Sequence, residues 1–187
     1  MASRSESDRP HLAALRARRP ALLSAQAGLR EVMARFATGI TVLTVCGPHG
    51  HGMTANAFSS LSLDPPLVLC CVARAARMHT AITSAGTFAV SMLGADQRDL
   101  AKYFADWWRP GGLAQFDCVE WTEGACTGAP LLDGALAWLE CKVTNTFDGG
   151  DHSIFVGEVL AASRGDSPHG GDSAYNRAKS TESNGGK

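Results

Sequence analysis

Leu139-Glu140-Cys141-Lys142-Val143-Thr144-Asn145-Thr146-Phe147 is followed by Asp148-Gly149-Gly150-Asp151 and then by residues 152–162, HSIFVGEVLAA. In the first segment apolar Leu139, Cys141, Val143 and Phe147 alternate with polar Glu140, Lys142, Thr144 and Thr146. That period of two belongs to a strand with one face buried and one wet. The Asp-Gly-Gly-Asp stretch carries turn chemistry, and the run after it is long enough to pair back along the whole strand. A long β-hairpin is the expectation, and it anchors the reading of everything upstream.

Working outward, residues 40–46 (ITVLTVC) are rich in β-branched side chains and read as a buried strand. The turn Gly47-Pro48-His49-Gly50-His51-Gly52 leads to a second strand starting near Met53. Its glycines do not have the dinucleotide-fingerprint spacing, and a strand rather than a helix follows. Asp64-Pro65-Pro66 ends that segment, since proline donates no ladder hydrogen bond and restricts the residue before it. Residues 67–72 (LVLCCV) and 87–93 (TFAVSML) read as further strands. Helices are expected over 27–37, where Leu29, Val32, Met33 and Phe36 form one stripe stopped by Gly39, and over 77–84 and 96–104. Residues 105–131, with Gly111, Gly112, Gly124, Gly128 and Pro130, read as a long irregular excursion. Six or so strands with only short helices predict a mainly β barrel or sandwich, because the alternation of strands and helices is too irregular for a doubly wound parallel sheet. One domain over 25–163 is expected, between a flexible N-terminal arm (1–24, with a short helix inside 12–19) and a flexible Gly/Ser-rich tail (164–187).

Composition narrows the function classes. A net charge of −1 suggests no nucleic-acid or anionic-membrane partner. No signal peptide and no membrane span are expected from the hydropathy pattern. The six cysteines, at 46, 70, 71, 118, 126 and 141, form no CxxC pair, so no metal site is expected. Buried, reduced thiols in a cytoplasmic protein are the favoured reading. No Ser-His-Asp set and no paired carboxylates stand out as catalytic groups. The segment 53–62 (MTANAFSSLS) is unusually polar for a core strand, with Thr54, Asn56, Ser59 and Ser60 close together. Locally, the plainer reading of it is a solvent-facing edge strand.

The order of segments adds more. The run 29–42 (LREVMARFATGITV), then 52–69 (GMTANAFSSLSLDPPLVL), 87–93, 96–101 (DQRDLA), 134–141 (GALAWLEC) and 150–159 (GDHSIFVGEV) resembles the flavin reductase-like, FMN-binding split-barrel family. That family includes the small reductase components of two-component flavin monooxygenases. The resemblance covers about residues 27–162 and is carried chiefly by TANAFSSLSLDPP and GDHSIFVGEV.

The resemblance implies a split β-barrel that moves a hydride from NADH or NADPH to FMN or FAD and supplies a separate flavin-dependent monooxygenase. It also implies a homodimer. By this likeness Met53, Thr54, Ala55, Asn56, Ser59 and Ser60 would contact the flavin ring and ribityl chain. Ala76, Arg77 and His79 would form a phosphate-binding turn, where a guanidinium can pair with phosphate through two hydrogen bonds. An exposed charge at a helix start is the plainer reading of Arg77. His152, in the turn of the late hairpin, would lie beside the nicotinamide. His11, His49, His51 and His169 gain no such support and are expected in loops. The chain departs from the family pattern after the hairpin, where only Tyr175 and Arg177 interrupt a polar tail, and at Ala75-Ala76. Other readings are a protein whose fixed flavin reduces a different small substrate, and a non-catalytic flavin-binding module.

Overall fold

The computed structural model describes residues 24–165. The expected arm, its short helix, most of the expected tail, and His11, His169, Tyr175 and Arg177 lie outside the described residues. The chain divides into two compact units, Met1–Ala37 and Thr38–Lys187.

Within the first unit, α1 (Ala25–Met33) begins two residues before the expected start and ends well short of Gly39. Its last bonds explain the stop. The amides of Arg35 and Phe36 reach back only three residues, to the carbonyls of Val32 and Met33, which winds the chain out of the α-helix. The expected stripe exists, but Leu29, Val32, Met33 and Phe36 are all exposed.

Among the described residues the second unit has nine strands rather than six, seven of them in one sheet. These seven are β1 (Thr41–Val45), β2 (His51–Ala55), β3 (Phe58–Leu63), β4 (Pro66–Ala73), β5 (Thr87–Met92), β8 (Ala137–Gly149) and β9 (His152–Arg164). The remaining two, β6 (Trp121–Glu123) and β7 (Pro130–Leu132), pair with each other inside the excursion. Every paired neighbour is antiparallel, in the order β2-β1-β5-β8-β9-β4-β3. The two edge strands, β2 and β3, are consecutive in the chain and only residues 56–57 separate them. The polypeptide therefore crosses from one edge of the sheet to the other without a ladder between them. That is a split barrel, mainly β with short helices, as expected. The polar segment 53–62 is not one strand but the end of β2, the crossing, and most of β3.

The hairpin that opened the reading is the longest feature. Each of its strands has 13 residues, with Gly149 opposite His152 at the bend. β9 lies between β8 and β4, with Val156 opposite Leu69 on one side and Asn145 on the other. β1, rich in β-branched residues, is buried on both faces. Leu43 and Val45 join a cluster with Val72, Phe88 and Phe155, whereas Val42 joins Phe104, Phe116 and Leu132. Helix α2 (Arg77–Ala85) inserts Met78, Ala81 and Ile82 into the first cluster, and Gly86, at φ 68°, closes it in the left-handed region. Helix α3 (Arg98–Ala105) contributes Ala101 and Phe104 to the second. Among the described residues no helix is long and apolar enough to cross a membrane.

The six thiols are all free, but only Cys70 and Cys141 are buried. Burial pushes both up to about 12. Cys118 and Cys126 are exposed, which corrects the expectation of uniformly buried thiols. They sit in the excursion between α3 and β8.

Candidate functional site

The first turn of α2 lies beside β2, and the 105–116 stretch folds over both. Between them is a cavity of about 310 Å³, lined by His51, Met53, Ala76, Arg77, Trp107 and Arg109 among others. A second cavity of about 310 Å³ adjoins it and shares His51 and Arg77. It extends toward the β1–β2 turn, past His49, Thr80 and Gly111. The two lobes form one trough along β2, with Arg77 at the junction.

A polar network holds the excursion against β2. The buried Gln115 side chain accepts from the Gly52 amide at 2.9 Å and donates to the Gly112 carbonyl at 2.5 Å. Arg109 donates from Nε to the Gln115 side-chain oxygen at 3.1 Å, and its terminal nitrogens donate to the carbonyls of Gly52 and Asp106. Its guanidinium also lies 5.6 Å from the centre of the Phe104 ring. Tyr103 adds a hydrogen bond from its hydroxyl to the Gln115 carbonyl at 2.7 Å.

His51 sits inside this network. Burial first, then the charges of Arg109 and Arg77, bring it down from 6.5 to about 4. Two donors face its ring, Arg109 Nη2 at 3.3 Å from Nε2 and Gln115 Nε2 at 3.4 Å from Nδ1. A neutral imidazole offers only one acceptor nitrogen, so one of these contacts is an approach without a hydrogen bond. His51 is thus not the loop residue expected but a buried strand residue that is neutral at pH 7. Burial also lowers Arg109, which nevertheless stays cationic. Among the described residues neither Arg77 nor Arg109 forms an ion pair with a carboxylate. The trough therefore carries positive charge that no ion pair among the described residues neutralises.

The residues singled out from the sequence fall into three groups. Met53, Ala76 and Arg77 line the first lobe together, with Ala76 the N-cap of α2. Thr54, Ala55 and Asn56 follow Met53 into the crossing. The Thr54 hydroxyl is already engaged, donating to the Ala101 carbonyl at 2.6 Å, and Ala55 is buried, while Asn56 is exposed at the seam. Ser59 and Ser60 lie exposed on the edge strand β3, the Ser59 hydroxyl turned to the Ser60 carbonyl. His79 is not brought to Arg77. Two residues along a helix point to opposite sides, and its Nε2 lies 2.8 Å from the Ser153 hydroxyl with the ring edge-on to Phe155.

His152 stands at the hairpin bend, opposite Ala73 of β4. Its Nδ1 is 2.7 Å from the Asp151 carboxylate, and that hydrogen bond holds Asp151 below the usual carboxylate range. Arg74 ties this bend to the loop before α2. Its amide donates to the Asp151 carbonyl, its Nε to the Gly150 carbonyl, and its Nη2 lies 3.0 Å from Asp148. The loop carrying Ala76 and Arg77 and the turn carrying His152 are thereby one connected unit.

Arg74, Trp107, Arg109 and Gln115 had no pattern to betray them. Three of the four lie in a stretch whose only sequence signal is glycine and proline, and their partners are more than 50 residues away or in an irregular turn. The adjacent pair Trp107-Trp108 was the one legible hint. The rings lie 4.0 Å apart and are 71% and 76% exposed, a large cost for two tryptophans unless something covers them.

The flavin reductase like domain matches residues 33–182. An NADH-dependent FAD reductase of Streptomyces globisporus is 54% identical over 136 residues, which cover 73% of this chain and 75% of that one. An NADH-dependent flavin reductase of a Rhodococcus species is 42% identical over 137 residues, 70% of this chain and 73% of that one. Among solved structures, the flavin reductase component of a bacterial two-component tryptophan halogenase superposes with a TM-score of 0.73 at 52% identity, covering 76% of this chain and 89% of that one. The NADH:FAD oxidoreductase of Streptomyces globisporus C-1027 gives 0.73 at 50% identity, covering 79% and 89%. With the domain match spanning most of the split barrel and identity this high over it, the chain belongs to the flavin reductase-like family.

Proposed function

We propose that this protein is an NADH:flavin oxidoreductase that reduces FMN or FAD and supplies the reduced flavin to a separate flavin-dependent monooxygenase. The observation that carries this reading is the trough beside β2, where two guanidiniums without carboxylate partners face an apolar wall. That donor set fits a phosphorylated, flat, largely apolar ligand. When bound, the flavin itself supplies the hydride-accepting chemistry, so the protein needs no strong acid, base or nucleophile.

The chain's own residues have simpler tasks. Arg77 binds phosphate at the start of α2, where the free amides of the first helical turn add to the attraction. Arg109 fixes the excursion and adds charge. Met53, Phe104 and Trp107 provide the apolar wall that excludes water from the ring. Since the Thr54 hydroxyl is spent on Ala101, its share in binding is through the backbone, together with Ala55 and Asn56. Ser59 and Ser60 would touch the flavin from across the seam. His152, with Nδ1 held by Asp151, keeps Nε2 for the nicotinamide nucleotide. His79 acts at one remove, packing α2 onto β9. The enzyme falls among the NAD(P)H-dependent reductases that treat flavin as the electron acceptor.

A homodimer is proposed from the edge strand β3, where Leu61 is 49% and Leu63 89% exposed. Six free thiols suit a reducing compartment, and the cytoplasm is proposed.

Steady-state NADH oxidation with FMN or FAD in large excess over protein tests the activity. Many equivalents of flavin reduced per protein are expected. A yellow protein that retains its flavin and consumes no NADH would replace this reading with that of a binding module.

A further inference from the structure

We infer that residues 106–112 form a lid over the trough, hinged at both ends and latched to the outer edge of β2 by the side chain of Arg109. The latch follows from the geometry of this segment and holds whichever ligand the trough receives.

The segment is held by side chains. Among the described residues no backbone-to-backbone hydrogen bond joins 107–110 to another element, and the Trp108 amide turns to the Asp106 carboxylate beside it. Trp107 and Trp108 stack on each other and stay largely exposed, so packing does not fix them either. A stretch with so little backbone bonding and burial belongs to the part of a fold that opens locally. Both ends suit a hinge. α3 stops at Ala105, and Asp106 leaves it in an extended conformation. At the far end Gly112 has φ 65°, where side-chain-bearing residues are strained. Beyond Gly112 the chain is anchored. Leu113 lies so close over Gly50 that an added Cβ there would come within 2.9 Å of it, and Gln115 and Phe116 are buried.

Arg109 closes the lid. Its Nη2 donates to the Gly52 carbonyl and its Nε to the Gln115 side-chain oxygen at 3.1 Å, while Nη1 steadies the Asp106 carbonyl at the hinge. Gly52 lies on an edge strand whose outer side has no paired strand among the described residues. The Gln115 oxygen takes its amide and the Arg109 guanidinium its carbonyl, so two side chains stand where a strand would pair. Arg109 spends these donors on the protein, which makes it a positioning residue rather than a grip on a ligand. Trp107 and Arg109 line the first lobe, and Gly111 and Gly112 line the second. One swing of the lid therefore widens both, and it uncovers His51, whose Nε2 lies 3.3 Å from Arg109.

The experiment is limited cleavage of the full-length protein by chymotrypsin, followed after Trp107 and Trp108, with acylation of histidines by diethyl pyrocarbonate run in parallel. A protease needs the chain lifted from its surroundings, so the cleavage rate reports the open population. With charge-assisted hydrogen bonds lost, Arg109→Ala is expected to be cut there about 10- to 100-fold faster. His51 is expected to be acylated faster in the same variant. His79, held by Ser153 on the other side of α2, and the urea unfolding midpoint should stay as in the native protein. Arg109→Lys keeps the charge but loses the fork, and is expected to fall between the two; it carries the same test if Arg109→Ala does not fold. Unchanged cleavage in both variants overturns the latch. Faster cleavage with His51 no more reactive also overturns the inference, since the segment would then fray without uncovering the trough. A parallel rise at His79 with a lower urea midpoint does so too, because Arg109 would then support the fold as a whole.

Discussion

His51 is 8% exposed, carries two guanidiniums nearby, and has donors facing both ring nitrogens, so the folded protein resists protonating it. Its folded value near 4 lies below the ordinary 6.5 that it regains on unfolding. Between these values the unfolded chain binds the proton more readily, so stability falls as pH is lowered from about 6.5 toward 4. Each full proton of difference contributes a slope of about 1.4 kcal/mol per pH unit. Urea denaturation across that window is expected to show a component that disappears in His51→Gln. An identical pH profile in the variant would refute the assignment. His152 is a different case, half-exposed and held by an exposed carboxylate, and the role proposed for it is in binding. Loss of one hydrogen bond to the nucleotide in His152→Ala should raise the Michaelis constant for NADH about 3- to 10-fold, with a smaller change for flavin. Unaltered NADH dependence would remove the residue from the site.

Among the elements, β9 bears the most, because it pairs with β4 and β8 along most of its length. Gly157 lets it do so over the aromatic core. A Cβ there would come within 2.7 Å of Phe88 Cζ and 3.1 Å of Cys141 Cβ, in a cluster with no room to yield. Gly157→Ala is therefore expected to cost roughly 1–3 kcal/mol, measured as an unfolding midpoint shift in urea. A change below about 0.5 kcal/mol, the scatter of neutral surface substitutions, would show that Phe88 can move aside. β8 was legible from the alternation over 139–147, although register shifts in the ladder leave Glu140 buried and Phe147 exposed, and β9 was legible from the turn before it and its length. β1 was legible for another reason, being rich in β-branched residues, and it is buried on both sides. What escaped the sequence was anything set by distant partners. Nothing local distinguishes Gln115 from any loop glutamine, although it is wholly buried and holds Gly52 at 2.9 Å. The contact of His79 with Ser153 escaped as well, because adjacency in a motif conceals the 200° that two helical residues span. The small hairpin of β6 and β7 was missed because three-residue strands carry no measurable period.

At the largest scale, the decisive feature is that among the described residues the sheet has two edges without a paired strand, which the chain bridges at residues 56–57 without hydrogen bonding them. Unpaired edges invite another chain, and proteins that remain monomeric usually protect them with charge, proline or a bulge. β3 has a bulge between Ser60 and Ser62, but beyond it stands Leu63, 89% exposed, with Leu61 beside the irregularity. No lysine or arginine lies in the strand. An edge with two exposed leucines and one small serine between them is suited to burial by a second copy rather than to water. The same strand carries Ser59 and Ser60, so on the proposed site a partner docked here would also wall the flavin side of the seam. Light scattering on the eluting protein is expected to give about twice the 19.6 kDa chain mass. Leu63→Asp is expected to shift it toward the monomer, because association would then bury an unpaired carboxylate. Flavin affinity should fall in the same variant, since the seam would lose its outer wall. A native protein that runs as a monomer would give the exposed leucines no such role, and a dimer that survives Leu63→Asp would move the interface away from β3.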